Sequence, residues 1–508
     1  MTMSAQRWSR TAWYAVLLLG VAVRLAYVAR PFDHRISNPW RQSDYFAIAR
    51  NFDREGLNPF YPRVDWRADK PGYAEMELPI LPWMGALLYR VVGPHVQAMR
   101  ALSGGLEVIA LLLFAALASQ LLRAQGALFA LLAFACNPLL VLHAGALQPE
   151  PVLDVCTLAC VALLWRWNAR PSPPRLLAAA LAAAVAALAK LPAAYLALVL
   201  AYFVLRRLGW RALTAPSVYA AALAAALPPV LWYMWAHGFW TEYGLSLGVS
   251  NESHLIGLDL LLPPTALLGI LAWETGVVFS PAGWFLALAA LRLPWRRIEL
   301  PAVWYAAICV FYVLAARTTA DQWAYYYHSL SVPPAALLMG AGLGLLLERR
   351  AIPVGWGRIA AWQRSIGWGL AAATIVASIA TAAYLIDRRD NDRGYRYRMY
   401  SCAVEFAPLV PAGGMIVAHG GSMLDDRGHP VAHNESMLFA WMDRRGFNYG
   451  AEELGVASLD AIAARGGRYW VVERGELEQG GLAAQVDGRY RRLATCDLGF
   501  ALYDLRPQ

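Results

Sequence analysis

Residues 11–29 read TAWYAVLLLGVAVRLAYVA, nineteen residues with Arg24 as the sole charge. Coiled into a helix, a run of that length matches the roughly 30 Å of hydrocarbon in a bilayer. The pattern recurs near 99–122, 127–143, 150–167, 175–191, 193–205, 213–235, 276–291, 300–316, 329–347 and 366–386. The composition agrees: the 508 residues are 59% hydrophobic and 16% charged, against roughly 25% charged in a soluble domain. The expected fold is therefore a mainly α polytopic membrane protein of about 11 transmembrane helices. A soluble enzyme and a single-span receptor are both excluded. The formal charge of +9 points to the membrane rather than to nucleic acid, because the arginines fall in short loops between spans and in the tail.

Charge placement orients the chain. Arg7 and Arg10 precede the first span, which sets the N-terminus in the cytoplasm. Val28-Ala29-Arg30-Pro31 is a poor cleavage site, so the first span is read as permanent. Arg123, then Arg166 to Arg175, then Arg206 to Arg211, then Arg292 to Arg297, then the stretch from Arg349 to Arg364, occupy alternate loops on that same side. This parity requires Leu78–Val92, interrupted by Pro79, Pro82 and Arg90, to lie at the interface or re-enter rather than cross. It also leaves 258–272, with Pro263-Pro264, as a stretch that dips without crossing. Loops 30–98, 236–275 and 317–328 and the tail then face outward. Arg24 lies near the outward end of its span, within reach of headgroups.

Two domains follow: 1–386, a membrane domain with the outward loop 30–98, and 387–508, an outward soluble α/β domain. In the tail, Gly413–Gly420 and Arg468–Glu473 read as strands with a helical pattern at Ser458–Arg465 between them. Cys402 and Cys496 are the tail's two cysteines, and outside the cytoplasm they are expected to pair.

The first loop concentrates polar groups: Trp40-Arg41-Gln42-Ser43-Asp44-Tyr45, then Asp65, Arg67, Asp69 and Lys70, then Glu75 and Glu77. A carboxylate there can take a proton from an attacking hydroxyl or amine, and a cation can steady a departing phosphate. The plain alternative is a solvated loop with surface ion pairs. Helical spacing in Ala47–Phe52 places Asp44 at or near a helix N-terminus, where it could simply be a cap. Only Lys70 and Lys190 among 44 basic residues are lysine. Gln148-Pro149-Glu150-Pro151, Lys190-Leu191-Pro192 and Asp321 through Tyr326-Tyr327-His328 put further polar groups at outward span ends, where ionisable residues are functional candidates. Snorkelling by Lys190 and an aromatic belt for the tyrosines are the plain readings. No motif has metal-ligand spacing, although His419, His429 and His433 in the tail could chelate zinc.

Trp40-Arg41-Gln42-Ser43-Asp44 with Ala47–Phe52, Leu57–Trp66 and Glu77-Leu78-Pro79, continuing through Gln148–Pro151, Lys190–Pro192 and Tyr326–His328 to Pro333-Pro334, resembles bacterial glycosyltransferases of the GT-C superfamily. These are relatives of protein O-mannosyltransferases and of the lipid A aminoarabinose transferase. The resemblance implies a catalytic base in the first outward loop, and Asp44 is the match. It implies a polyprenyl-phosphate sugar as donor, a lipid, glycan or protein acceptor, and hexosyl or pentosyl transfer with inversion, which needs no covalent intermediate. Many relatives carry Asp-Glu at the base, whereas Tyr45 follows Asp44 here. That leaves the second acidic role to Glu77, or next to Glu150. Lys70, Lys190 and Arg41 are the candidates for the donor phosphate, and Gln42, Glu150, Tyr326, Tyr327 and His328 for substrate binding. No cofactor is required, and a divalent metal is possible but unsupported. Membrane lipid is a partner and nucleic acid is not. The implied location is the bacterial inner membrane with the tail in the periplasm. A secondary transporter or lipid flippase is the rival from another class, and a scaffold that binds polyprenyl phosphate without chemistry is a third.

Overall fold

The computed structural model describes residues 3–248, 264–314, 319–320, 322–348, 357–422 and 434–507. Asp321, His429, His433, residues 258–263 and the start of the basic stretch at Arg349 lie outside the described residues. The chain packs as two compact units, one of residues 1–30, 100–231 and 254–386, the other of 31–99, 232–253 and 387–508.

The first unit is helical. Among the described residues nine helical segments of the chain are long and apolar enough to cross a membrane, from Arg10–Val28 to Trp362–Asp390. The protein is a multi-pass membrane protein. Two shorter apolar helices, Ala124–Ala135 and Pro173–Ala189, fall where spans 127–143 and 175–191 are expected. The span expected at 276–291 begins earlier: helix Pro264–Trp273 runs through a π-helical turn, Glu274–Phe279, into Ser280–Ala290. The stretch read as dipping in therefore joins this span from Pro264 onward, because Pro264 starts the helix instead of breaking it.

Helix Val332–Leu347 is the most enclosed span, and its glycines explain why. A Cβ on Gly342 would lie 1.8 Å from the Leu286 carbonyl oxygen, and one on Gly126 would lie 2.4 Å from that of Gly340. Backbones meet directly there, as small residues permit in membranes. Leu18, Met234 and Val376 face outward on other spans, an apolar exterior suited to lipid. Arg24 does the opposite of snorkelling: it is fully buried and donates to the Gly20 and Ala135 carbonyls.

The second unit is built on a five-stranded sheet ordered β2-β1-β3-β5-β4. Its strands are β1 (Ile416–His419), β2 (Gly446–Tyr449), β3 (Tyr469–Glu473), β4 (Tyr490–Thr495) and β5 (Phe500–Pro507). β1 pairs in parallel with β2 and β3, and β5 runs antiparallel to β3 and β4. The two strands and the helix read from the tail sequence correspond to β1, β3 and helix Val456–Ala464. Cys402 and Cys496 form a disulfide across a separation of 94 residues.

The first loop packs with this sheet. Gly446 donates its N–H to the Asp65 carbonyl and accepts from the Ala68 N–H, so the segment 65–68 meets the edge of β2. Packing thus assigns residues 31–99 and 232–253 to the unit of the tail, whereas the division at residue 386 drew loop 30–98 with the spans. The reason is hydrogen bonding: the loop's backbone polar groups find partners on a sheet edge that apolar helices cannot offer.

Candidate active site

Asp44 does not sit at a helix end. Pro39 starts the helix Pro39–Glu55, preceded by Asn38 in a left-handed conformation, which moves the start five residues upstream. Asp44 is therefore in the second turn, fully buried, and the capping reading fails. Trp66 donates its indole N–H to Asp44 Oδ1 at 2.8 Å, and the Asn434 amide donates to Oδ2 at 3.3 Å. Asn434 in turn accepts from the Trp40 indole at Oδ1, 3.0 Å, and Ser436 donates to the Trp40 carbonyl. The tail thereby supplies one of the two hydrogen bonds to the loop's carboxylate.

Burial raises the Asp44 pKa to about 7, against the lowering effects of the Trp66 hydrogen bond, the Arg41 charge and the Asn434 hydrogen bond. A carboxyl that titrates near neutrality is suited to proton abstraction. Glu435 is also buried, and its pKa is raised to about 8 by burial, with the neighbouring Asp44 carboxylate adding to the rise. Two acidic groups thus share this apolar setting.

Glu77 is buried and accepts from the Tyr45 hydroxyl at 2.8 Å. It also lies 3.5 Å from Arg41 Nη1, whose guanidinium stacks 5.1 Å from the Trp40 ring centre. Arg41 therefore interacts with both carboxylates, and Asp44, Glu77 and Arg41 form one cluster. Tyr45 supplies a hydroxyl to Glu77. Gln42 is buried and bonds through Nε2 to the Ser37 carbonyl.

Other charges of the loop form structural pairs. Arg50 bonds to Asp65 at 3.0 Å and pairs with Asp443, Arg67 pairs with Glu55, and Arg465 with Asp69. Glu75 accepts from Ser246 at 2.6 Å and lies 3.1 Å from His237 Nδ1. Lys70 is exposed and donates to the Tyr243 carbonyl at 2.6 Å. It lines a cavity with Trp66 rather than joining Asp44, Glu77 and Arg41.

The membrane unit gathers residues that are far apart in sequence. Helix Pro173–Ala189 stops at Lys190, which is extended before Pro192. Its ammonium bonds to Glu150 Oε1, at the start of helix Glu150–Ala169, and lies 4.3 and 4.4 Å from the ring centres of Tyr326 and Tyr327. One cation therefore meets a carboxylate and two π faces. His328 is turned elsewhere: Nδ1 lies 2.6 Å from Glu274 Oε1, and Nε2 lies 2.9 Å from the Thr319 carbonyl. Ser331 and Tyr305 also donate to Glu274.

His419, read as a possible zinc ligand, lies 3.2 Å from Glu476 through Nδ1 and stacks on Tyr449. A different group in the membrane unit has ligand-like geometry: Glu107, His143 and Asp154 present atoms within 4.8 Å of one another, all buried. Arg24 lies 4.0 Å from Glu107 and supplies a fixed positive charge to that group.

Sequence reasoning did not single out Trp66, Asn434, Glu435, Glu107, Asp154 or Glu274. Charges within apolar runs were a usable signal for Glu107, Asp154 and Glu274. Nothing in the local sequence marks Asn434 or Glu435, which reach the loop only through the tertiary fold.

The dolichyl-phosphate-mannose-protein mannosyltransferase family model matches residues 69–235. No curated protein sequence matches significantly. Among solved structures, ArnT from Cupriavidus metallidurans bound to undecaprenyl phosphate is 17% identical, with a TM-score of 0.62 over 97% of this chain and 99% of that one. The archaeal oligosaccharyltransferase AglB from Archaeoglobus fulgidus, in complex with an inhibitory peptide and a dolichol-phosphate, is 11% identical with a TM-score of 0.55, covering 99% of this chain and 74% of that one. The mycobacterial arabinofuranosyltransferase AftD is 15% identical with a TM-score of 0.51, covering 99% and 42%. At these identities the likeness is one of fold: the chain shares the fold of these membrane glycosyltransferase structures.

Proposed function

We propose that the protein is an inverting glycosyltransferase that moves a sugar from a polyprenyl-phosphate donor to a lipid, glycan or protein acceptor on the periplasmic face of the bacterial inner membrane. The observation that carries this reading is Asp44: a buried carboxylate, held by Trp66 and Asn434 and titrating at about 7. Asp44 takes the proton from the acceptor hydroxyl or amine. The freed lone pair attacks the anomeric carbon, and the bond from that carbon to the phosphate oxygen breaks. Polyprenyl phosphate leaves with the bonding electrons, so inversion requires one base and no glycosyl-enzyme intermediate.

The remaining roles are assigned within each unit separately. Glu77 holds Arg41 and Tyr45 in place beside Asp44 and acts as a positioning residue. In the membrane unit, Lys190 meets the phosphate as a point charge, with Glu150, Tyr326 and Tyr327 fixing its ammonium. The relatives captured with undecaprenyl phosphate and dolichol-phosphate support a lipid-phosphate donor. Neither step calls on a resident cofactor.

The test is incubation of the purified protein with radiolabelled polyprenyl-phosphate hexoses and pentoses and a total membrane extract, followed by identification of the labelled product. Transfer that disappears in Asp44→Asn supports the reading. Flipping or uptake of the lipid in proteoliposomes without any transfer sinks it in favour of a transporter, and binding without turnover sinks it in favour of a scaffold.

A further inference from the structure

A cavity of about 370 Å³ opens in the second unit, lined by Trp66 and Trp240, by Phe447, Asn448 and Tyr449 of β2, and by Lys70, Glu453 and Arg465, among others. It is joined to Asp44 in two ways. Trp66 walls the cavity while its indole N–H bonds to Asp44. Asn448 lines the cavity while its side-chain oxygen accepts from the Glu435 backbone N–H, next to the Asn434 that bonds to Asp44.

The lining narrows what can bind. Charged and amide groups over aromatic walls do not suit an acyl chain, and two indoles offer flat faces to the C–H surface of a ring. The charges nearly cancel: Arg67 is paired with Glu55 and Arg465 with Asp69. That leaves Lys70, whose bond is to a neutral carbonyl, and the Glu453 carboxylate. One donor and one acceptor of opposite charge suit hydroxyl groups better than a polyanion. A peptide added as a strand beside Gly446 would compete with the Asp65–Ala68 segment already bonded there. The volume lies at the small end of the roughly 300–1,000 Å³ usual for ligand sites, the scale of one or two sugar rings.

We propose that this cavity is the acceptor subsite and holds a neutral pyranose or furanose unit, which makes the acceptor a glycan. The inference rests on the reading of Asp44 as the base. Trp66 and Trp240 stack on the ring, Lys70 donates to a hydroxyl, Glu453 accepts from another, and the nucleophilic hydroxyl is directed past the Trp66 edge toward Asp44.

The test is calorimetric titration of the full-length protein in detergent, without donor, against gluco-, galacto-, manno- and arabino-configured disaccharides, with a Ser/Thr-containing peptide and inorganic phosphate as competing classes. At least one neutral disaccharide is expected to saturate a single site. Lys70→Ala and Glu453→Gln, both at exposed side chains, are each expected to weaken that binding about tenfold, and Trp240→Ala to weaken it as much or more. In the transfer assay the same variants are expected to raise KM for the acceptor with KM for the donor kept. Asp44→Asn should bind sugar normally and lose transfer, so transfer at the native rate with sugar binding intact overturns only the catalytic reading. The subsite is overturned if no sugar binds, if the peptide or phosphate alone saturates the site, or if sugar binding is indifferent to all three cavity variants.

Discussion

Asp44→Asn separates catalysis from stability because the two respond in opposite directions. The carboxyl is raised from 3.8 to about 7 chiefly by burial, so its proton is held more tightly in the folded protein than in the unfolded chain. Stability from this group is full below the unfolded value, and it declines as pH rises until the folded group has ionised near 7. Three units at about 1.4 kcal/mol each amount to about 4 kcal/mol. Asparagine is neutral throughout and removes that slope. It also presents its amide to one of the two donors, Trp66 or Asn434, at a cost of about 1–3 kcal/mol that is independent of pH. The variant's stability relative to wild type should therefore climb by about 2–3 kcal/mol between pH 5 and pH 8 and then level off. Transfer, by contrast, should fall about 10²–10⁴-fold, while wild-type kcat/KM rises with pH through an inflection near 7. The assays are thermal or denaturant unfolding in detergent at several pH values, and labelled-sugar transfer at matched donor occupancy. A variant that folds, binds donor and transfers at the native rate refutes Asp44 as the base. A stability difference that is flat from pH 5 to pH 8 refutes the burial argument beneath it.

Trp66→Phe removes one hydrogen bond to the ionised carboxylate, so the inflection in kcat/KM should move upward by about one unit and activity should recover at alkaline pH; an unmoved profile would show that the indole does not tune Asp44. Lys190→Met strands the buried Glu150 carboxylate and should cost about 3–5 kcal/mol of stability, while adding Glu150→Gln should restore the melting temperature but not donor binding; recovery of both would reduce Lys190 to a structural role. Cys402→Ser opens a disulfide spanning 94 residues and should lower stability by about 2–5 kcal/mol, read as a fall in melting temperature that reductant also produces in the wild type. Glu77→Gln keeps an acceptor for Tyr45 but loses the charge facing Arg41, so kcat should fall with the pH profile kept; a vanished acid limb would make Glu77 a proton-transfer group instead.

The spans were legible because hydrocarbon imposes a one-dimensional rule: apolar runs of a set length. Where that rule misjudged the chain, tertiary packing was the cause. Arg24 read as reaching for headgroups, yet Glu107 and two backbone carbonyls face it inside the bundle. The stretch before Glu274 read as dipping in, yet a π-helical turn lets it continue into the next helix. Asp44 read as near a helix start because the apolar spacing begins at Ala47, while Pro39 starts the helix two turns earlier than that spacing shows.

The candidate site was legible only in half. Asp44, Arg41 and Glu77 stand within one loop, and their chemistry shows in the residue types. What sets the acid's proton affinity comes from elsewhere: Trp66, twenty-two residues on, and Asn434, 390 residues on. No periodicity links a tail asparagine to a loop aspartate. The link exists because the loop segment 65–68 bonds to the edge of β2 at Gly446 and Asn434 leads into the helix Ser436–Met442, whose first residue caps the Trp40 carbonyl. The tail is therefore no mere accessory: by donating to Oδ2 through Asn434, it helps determine whether Asp44 is charged near neutral pH.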